Sequence, residues 1–244
     1  MIALGEVVII GGGCYGSFYA GQLAKARTSG RVTWRRLLLV DRDPTCQVTP
    51  QLDTIPDATL VVQEWAPFLD AWLAMPRAED DQIVPSPLMP HLLAQWLEAR
   101  ARAAWPTHRV AMVPATDPLG TPFDWLHPGD GVRYVSFADW LCPTHCIEPA
   151  TCPVISAPRT WEMGEAVTAW TAARRAERPT AGPALFTCRH MVHGVGMYPA
   201  RLAEEAFAAL ATQLAATPDG ADLVVGSVSA CHGAVGVLRV QGER

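Results

Sequence analysis

The chain is short of charge: only 18% of its 244 residues are Asp, Glu, Lys or Arg, and the net charge is −5. It has no basic run; Arg174-Arg175 is an isolated pair near an expected helix end. A face for nucleic acid is therefore excluded as an expectation. Long apolar runs are missing too. Val7–Ile10 meets glycine at once, far below the length that spans a bilayer, so no membrane partner is expected. No positively charged region precedes an apolar one at the start, which argues against a secretory signal and for the cytoplasm. The seven cysteines are an odd number for a disulfide framework, and a reducing compartment keeps thiols free. No two of them stand two residues apart, the commonest zinc spacing. Repeats and low-complexity tails are absent.

What is there reads as a globular chain, half hydrophobic. Glu6–Ile10 has the pattern of a buried parallel strand. A helix follows, with Gly16, Ala20, Leu23 and Ala24 on one face and Gly30 at its end. Further strands are expected at 37–40, 59–63, 82–84 and 109–113, alternating with helices at 65–75 and 90–105. That alternation predicts an α/β fold with a Rossmann-like, doubly wound, mostly parallel sheet. The stretch 114–158 breaks the pattern with Pro, Gly, Asp and Cys, and holds one strand-like run at 133–137. Order returns with helices at 161–175 and from Pro199, whose face is Leu202, Ala206, Leu210 and Leu214, and with strands at 184–187, 223–228 and 235–240. Gly233 and Gly236 fit a turn or a close backbone approach. The expected organisation is a dinucleotide-binding part at 1–113, a Cys/Pro-rich loop at 114–160 inserted in the fold, and an α/β part at 161–244 that completes it. The nine tryptophans fit core and rim positions. Asp80-Asp81 and Glu204-Glu205 read as solvated charges.

The most informative stretch is Val7-Val8-Ile9-Ile10-Gly11-Gly12-Gly13-Cys14-Tyr15-Gly16. Gly11 permits a tight turn, Gly13 lets backbone approach phosphates, and Gly16 lets the helix pack on the strand. The free N–H groups and positive dipole end of the helix then face an anion. Over about the first third of the chain this pattern resembles the Rossmann-type dinucleotide-binding superfamily. The resemblance implies that Gly11, Gly13 and Gly16 hold a diphosphate and that Asp41, ending the next strand, accepts from a ribose diol. A carboxylate there repels a 2′-phosphate and favours NAD(H) over NADP, with Arg42 as a neighbour able to reverse that; FAD is the alternative cofactor. Asp41 lies farther from Gly16 than is usual, which predicts a long connection over 28–36.

A second cluster reads Cys142-Pro-Thr-His-Cys146-Ile-Glu-Pro-Ala-Thr-Cys152-Pro. Thiolates are soft ligands, and prolines stiffen the loop that carries them. Cys142, Cys146 and Cys152 point to an iron–sulfur cluster, [4Fe–4S] in type, with zinc as the alternative. A fourth ligand is sought among Cys188, His145, Glu148 and Cys231; Cys188, at the end of an apolar strand, is preferred. His190 and His193 are candidate proton donors. Cys14, at a helix N-terminus, has the setting of a reactive thiol.

Together these features predict a nicotinamide-binding oxidoreductase or oxidoreductase component with a cysteine-ligated metal centre, acting on a small-molecule substrate or a redox partner protein, with a homo-oligomer allowed. The alternatives are a sensor of NADH or redox state, and a metal or cluster carrier.

Overall fold

The computed structural model describes residues 1–143 and 146–242. In chain order the first elements are β1 (Ile2–Ile10), α1 (Cys14–Thr28), β2 (Val32–Asp41), a 3-10 turn (Thr49–Thr54), β3 (Ala58–Val62), α2 (Trp65–Leu73) and β4 (Gln82–Val84). Then come α3 (Leu92–Ala104), β5 (Arg109–Val113), β6 (Phe123–Leu126), β7 (Arg133–Ser136), β8 (Thr151–Cys152), β9 (Ala157–Pro158) and α4 (Met163–Arg175). The last are β10 (Thr180–Thr187), β11 (Arg189–Val192), β12 (Val195–Pro199), α5 (Leu202–Ala216), β13 (Gly220–Val228) and β14 (His232–Gln241). They form two compact units: residues 1–90, 144–147 and 188–201 in the first, and residues 91–143, 148–187 and 202–244 in the second.

The first unit is built on one six-stranded sheet in the order β11-β12-β4-β1-β2-β3. The four strands β4, β1, β2 and β3 run parallel, and β12 and β11 add to them antiparallel. Val7–Ile10 and Leu37–Val40 are buried along their whole length, as strands covered on both faces must be. Gly16, Ser17, Ala20, Leu23 and Ala26 form the buried side of α1, with Ala24 partly buried against the same core.

β2 is longer than the sequence suggested. The stretch expected to be a long connection contains Val32–Arg36, which pairs with Ile2–Glu6. The strand is masked in the sequence by Arg35 and Arg36, whose charges are matched in the fold. Arg36 lies 3.3 Å from Glu6 and Arg35 lies 3.1 Å from Asp81. Asp81 is a buried anchor rather than a solvated charge: only 2% exposed, it accepts from the N–H groups of Glu6 at 2.7 Å and Ala78 at 3.0 Å.

The second unit has a different sheet, β10-β13-β14-β7-β6, with β5 paired to the far end of β14. Only β10 and β13 run parallel; β13/β14, β14/β7, β14/β5 and β6/β7 are antiparallel. α3, α4 and α5 pack on this sheet. Met163, Val167 and Trp170 bury one side of α4, and Ala203, Ala206, Leu210 and Leu214 one side of α5.

The expected single doubly wound, mostly parallel sheet is therefore incorrect. The chain is mixed α/β, with one mixed sheet in each unit and a small β8-β9 pair. The cause is local. β13 and β14 are joined by a tight turn in which Ser229 N–H donates to the His232 carbonyl at 2.8 Å, which forces an antiparallel hairpin where a crossover helix would have kept the strands parallel. The β11–β12 hairpin turns at His193-Gly194, with φ of 47° and 77°, and adds antiparallel strands to the first sheet.

Candidate nucleotide and thiol sites

The glycine run takes the shape that its spacing implied. β1 ends at Ile10, Gly11 turns with φ +88°, and α1 begins at Cys14 with Gly13 as its N-cap. A Cβ on Gly16 would lie 1.8 Å from the Gly11 carbonyl oxygen, so only glycine allows the helix to sit this close to the turn. A Cβ on Gly13 would meet nothing within 4 Å, so the turn is open at that residue. At Gly12 it is covered: Val48 N–H donates to the Gly12 carbonyl at 3.0 Å, and a Cβ there would lie 2.4 Å from the Cys46 sulfur. No side chain caps α1 and no acidic residue stands in its first turn, leaving the positive end of the helix for another anion.

Asp41, the last residue of β2, reaches this turn. Its carboxylate accepts from the N–H of Gly12 at 2.6 Å and of Asp43 at 2.9 Å. A carboxylate has about four acceptor positions, so capacity remains for a diol. Arg42 is turned to Glu64, 3.5 Å away in an exposed pair. A cavity of about 200 Å³ lies against Cys14, Tyr15, Phe18 and Tyr19 of α1. It is large enough for part of a dinucleotide and too small for a whole one.

α1 also packs against β11 and β12, and this hairpin, with Cys188 just before it, carries three residues singled out in the sequence. The His190 ring Nδ1 meets the carbonyl of Cys146. A carbonyl only accepts, so Nδ1 is the donor of this bond. A Cβ on Gly196 would lie 2.5 Å from the Cys188 sulfur and 3.2 Å from His190 Nε2. The thiol and the imidazole thus share a recess that exists because residue 196 has no side chain. Burial raises the pKa of both Tyr19 and Tyr198, and the charge of Cys188 adds to the rise in each. Cys188 is accordingly set among two phenols that keep their protons and one imidazole. His193 sits at the hairpin tip, where its carbonyl accepts from Gln22 Nε2 at 3.1 Å and its Nε2 is buried without a hydrogen-bond partner among the described residues.

Of the four expected metal ligands, Cys146 and Cys188 belong to the first unit and Cys142 and Cys152 to the second. Among the described residues, no three His, Cys, Asp or Glu side chains are gathered so as to hold a metal ion. His145 lies outside the described residues. Cys152 is buried in β8, which pairs with β9. Cys14 is exposed at the head of α1.

The sequence did not reveal Glu148 as an anchor. Its carboxylate accepts from the Ser229 hydroxyl at 2.6 Å and from the N–H groups of Ala230 and Cys231 at 2.9 and 3.2 Å. Nor did it reveal the tie between His232 Nδ1 and the Ser136 hydroxyl at 2.8 Å. Neither contact leaves a local signal, because the partners are 81 to 96 residues apart.

Residues 93–241 match a family described as an uncharacterized protein, C-terminal domain, and the chain belongs to that family. The matched stretch takes in Cys142, Cys146, Cys152, Cys188 and Cys231 and starts well beyond the glycine turn. No curated protein and no solved structure matches the chain.

Proposed function

We propose that this chain is a dinucleotide-binding redox protein, with NAD(H) the preferred nucleotide. Gly13 and the first N–H groups of α1 hold the diphosphate, Asp41 takes the ribose diol, and Cys188 with His190 handles a proton at a substrate. The single observation that carries this reading is the pairing of an obligatory close approach at Gly16 with open space at Gly13, 1.8 Å against nothing within 4 Å. Four parallel strands ordered β4-β1-β2-β3 place that opening at the carboxyl ends of the strands, where open α/β sheets bind ligands. The anchored carboxylate of Asp41 disfavours a 2′-phosphate, and the adjacent Arg42 pairs with Glu64 instead.

The test is calorimetry on the full-length chain with NADH, NADPH, FAD and ADP-ribose, using two alanine variants. Gly13→Ala is expected to leave stability unchanged or raised by a few tenths of a kcal/mol, while NADH binding weakens about tenfold or more. Gly16→Ala is expected to lose about 1–3 kcal/mol of stability through overpacking. Failure of the wild-type chain to bind any of the four compounds, or unchanged NADH binding in Gly13→Ala, would sink the reading.

A further inference from the structure

β3 is the last strand of the first sheet. Two bonds fix which of its main-chain groups turn inward: Leu37 N–H donates to the Asp57 carbonyl at 2.9 Å, and Gln63 N–H to the Asp41 carbonyl at 3.0 Å. With the register running from Leu37↔Ala58 to Asp41↔Val62, Thr59 and Val61 bond to β2, while Ala58, Leu60 and Val62 present their main-chain groups outward. Ala58 N–H is taken by the Ile55 carbonyl at 3.3 Å; among the described residues, no other main-chain group bonds to Leu60 or Val62 from that side. Edge strands are ordinarily blunted by charge, proline or a bulge. β11, at the opposite end of the sheet, has the exposed Arg189 and a register shift. β3 reads Ala-Thr-Leu-Val-Val in an unbroken register, without charge or proline, and its Val62 is 54% exposed.

We propose that β3 pairs antiparallel with β3 of a second copy of this chain, around a two-fold axis at Leu60. The outward groups are self-complementary in that arrangement. Leu60 exchanges two bonds with Leu60 of the other copy, and each Val62 N–H donates to the Ala58 carbonyl across the axis. The side chains match too: Val62 comes beside Ala58, Leu60 beside Leu60 and Thr59 beside Val61, all uncharged pairs. The flanks bring opposite charges together. The same register sets Gln63 opposite Asp57, and Glu64 opposite Pro56, whose carbonyl accepts from Arg27 at 3.0 Å. The exposed pair Arg42–Glu64 of one copy thus meets the pair Arg27–Asp57 of the other, carboxylate toward guanidinium in both directions. The sheets of the two copies become one continuous sheet. None of this depends on a bound nucleotide.

The experiment is sedimentation velocity of the full-length chain over a concentration series, paired with hydrogen exchange read by mass spectrometry at the same concentrations. The wild type is expected to pass from one chain to two as concentration rises, and exchange to slow at the Leu60 and Val62 amides as the dimer fills. Val62→Pro removes one outward donor and no bond to β2, and Val62→Lys places a charge on the edge. Both are expected to remain single chains throughout, with the circular dichroism of the wild type. Should Val62→Pro not fold, Val62→Lys at its exposed position carries the test. The proposal is overturned if the wild type stays a single chain up to its solubility limit, if the dimer persists in Val62→Lys, or if a dimer forms without slower exchange in β3.

Discussion

His91 shows what one buried ring does to the whole stability curve. It lies just before α3, 7% exposed, with Nδ1 3.1 Å from the Ser227 hydroxyl and Nε2 without a partner among the described residues. Its ring packs over Gly236, where a Cβ would come within 2.5 Å of Nε2; the close approach expected at that glycine is an imidazole. Burial pushes the pKa of His91 down to about 4, with the charge of Asp130 working against it. An unfolded histidine titrates near 6.5. Below that value the unfolded chain takes up a proton that the native ring refuses, so stability falls as the pH drops from about 6.5 to about 4, by up to about 1.4 kcal/mol per pH unit. Above 6.5 the ring is neutral in both states and the effect vanishes. Urea midpoints measured between pH 7 and pH 4 for the wild type and His91→Gln should diverge, with the variant the flatter of the two. Parallel profiles would show that His91 takes its proton inside the fold.

At the scale of elements, the second unit is locked by Asp222 on β13. The carboxylate is wholly buried, accepts from Arg239 Nε and Nη2 at 2.8 Å each and from Arg178 Nε at 3.0 Å, and lies 3.5 Å from Arg174. One side chain thus ties β13 to β14, to the end of α4 and to the turn before β10. Removing it takes that shared partner from Arg178 and Arg239, each about a third exposed, and from Arg174, which keeps Asp117 at 2.8 Å. Asp222→Ala is expected to cost about 1.5–3 kcal/mol, the scale of losing buried hydrogen bonds to a charged group, read as a lowered thermal midpoint. A loss below about 1 kcal/mol would mean that the arginines find water instead. This centre could not be seen in the sequence, since its members are up to 65 residues apart and each reads alone as a surface charge.

The elements that could be seen are those whose code is local. The glycine run, the strand Leu37–Val40 and the small-residue side of α1 follow from spacing and size, and they set out the glycine turn almost completely. Strand order in the second unit depends on which turns are tight, as at Ser229–His232, and periodicity does not report that. The β11–β12 hairpin was legible in principle, since His193-Gly194 between valines suits a two-residue turn with positive φ at both positions.

At the scale of the whole molecule, the chain does not complete its first unit before starting its second. Residues 1–90 carry β1 to β4, yet the hairpin 188–201 belongs with them. Tyr198 pairs with Ile83 and Pro199 with Gln82, so β12 closes the β4 edge of the sheet. Val192, Val195 and Met197 are buried in the same core as Val7, Ile9 and Val84. Cut after residue 90, the first unit would keep its parallel strands and lose that cover, leaving β4 as an open edge. Each of the lost apolar side chains was worth about 1.5–3 kcal/mol by burial, a sum comparable with the whole stability of a small domain. The fragment 1–90 is therefore expected to aggregate or to unfold without a cooperative transition. A fusion of 1–90 to 188–201 through a flexible Gly/Ser linker should regain a sigmoidal urea transition. Equal midpoints for the fragment and the fusion would show that the parallel strands and α1 stand alone, with the late hairpin an accessory to them.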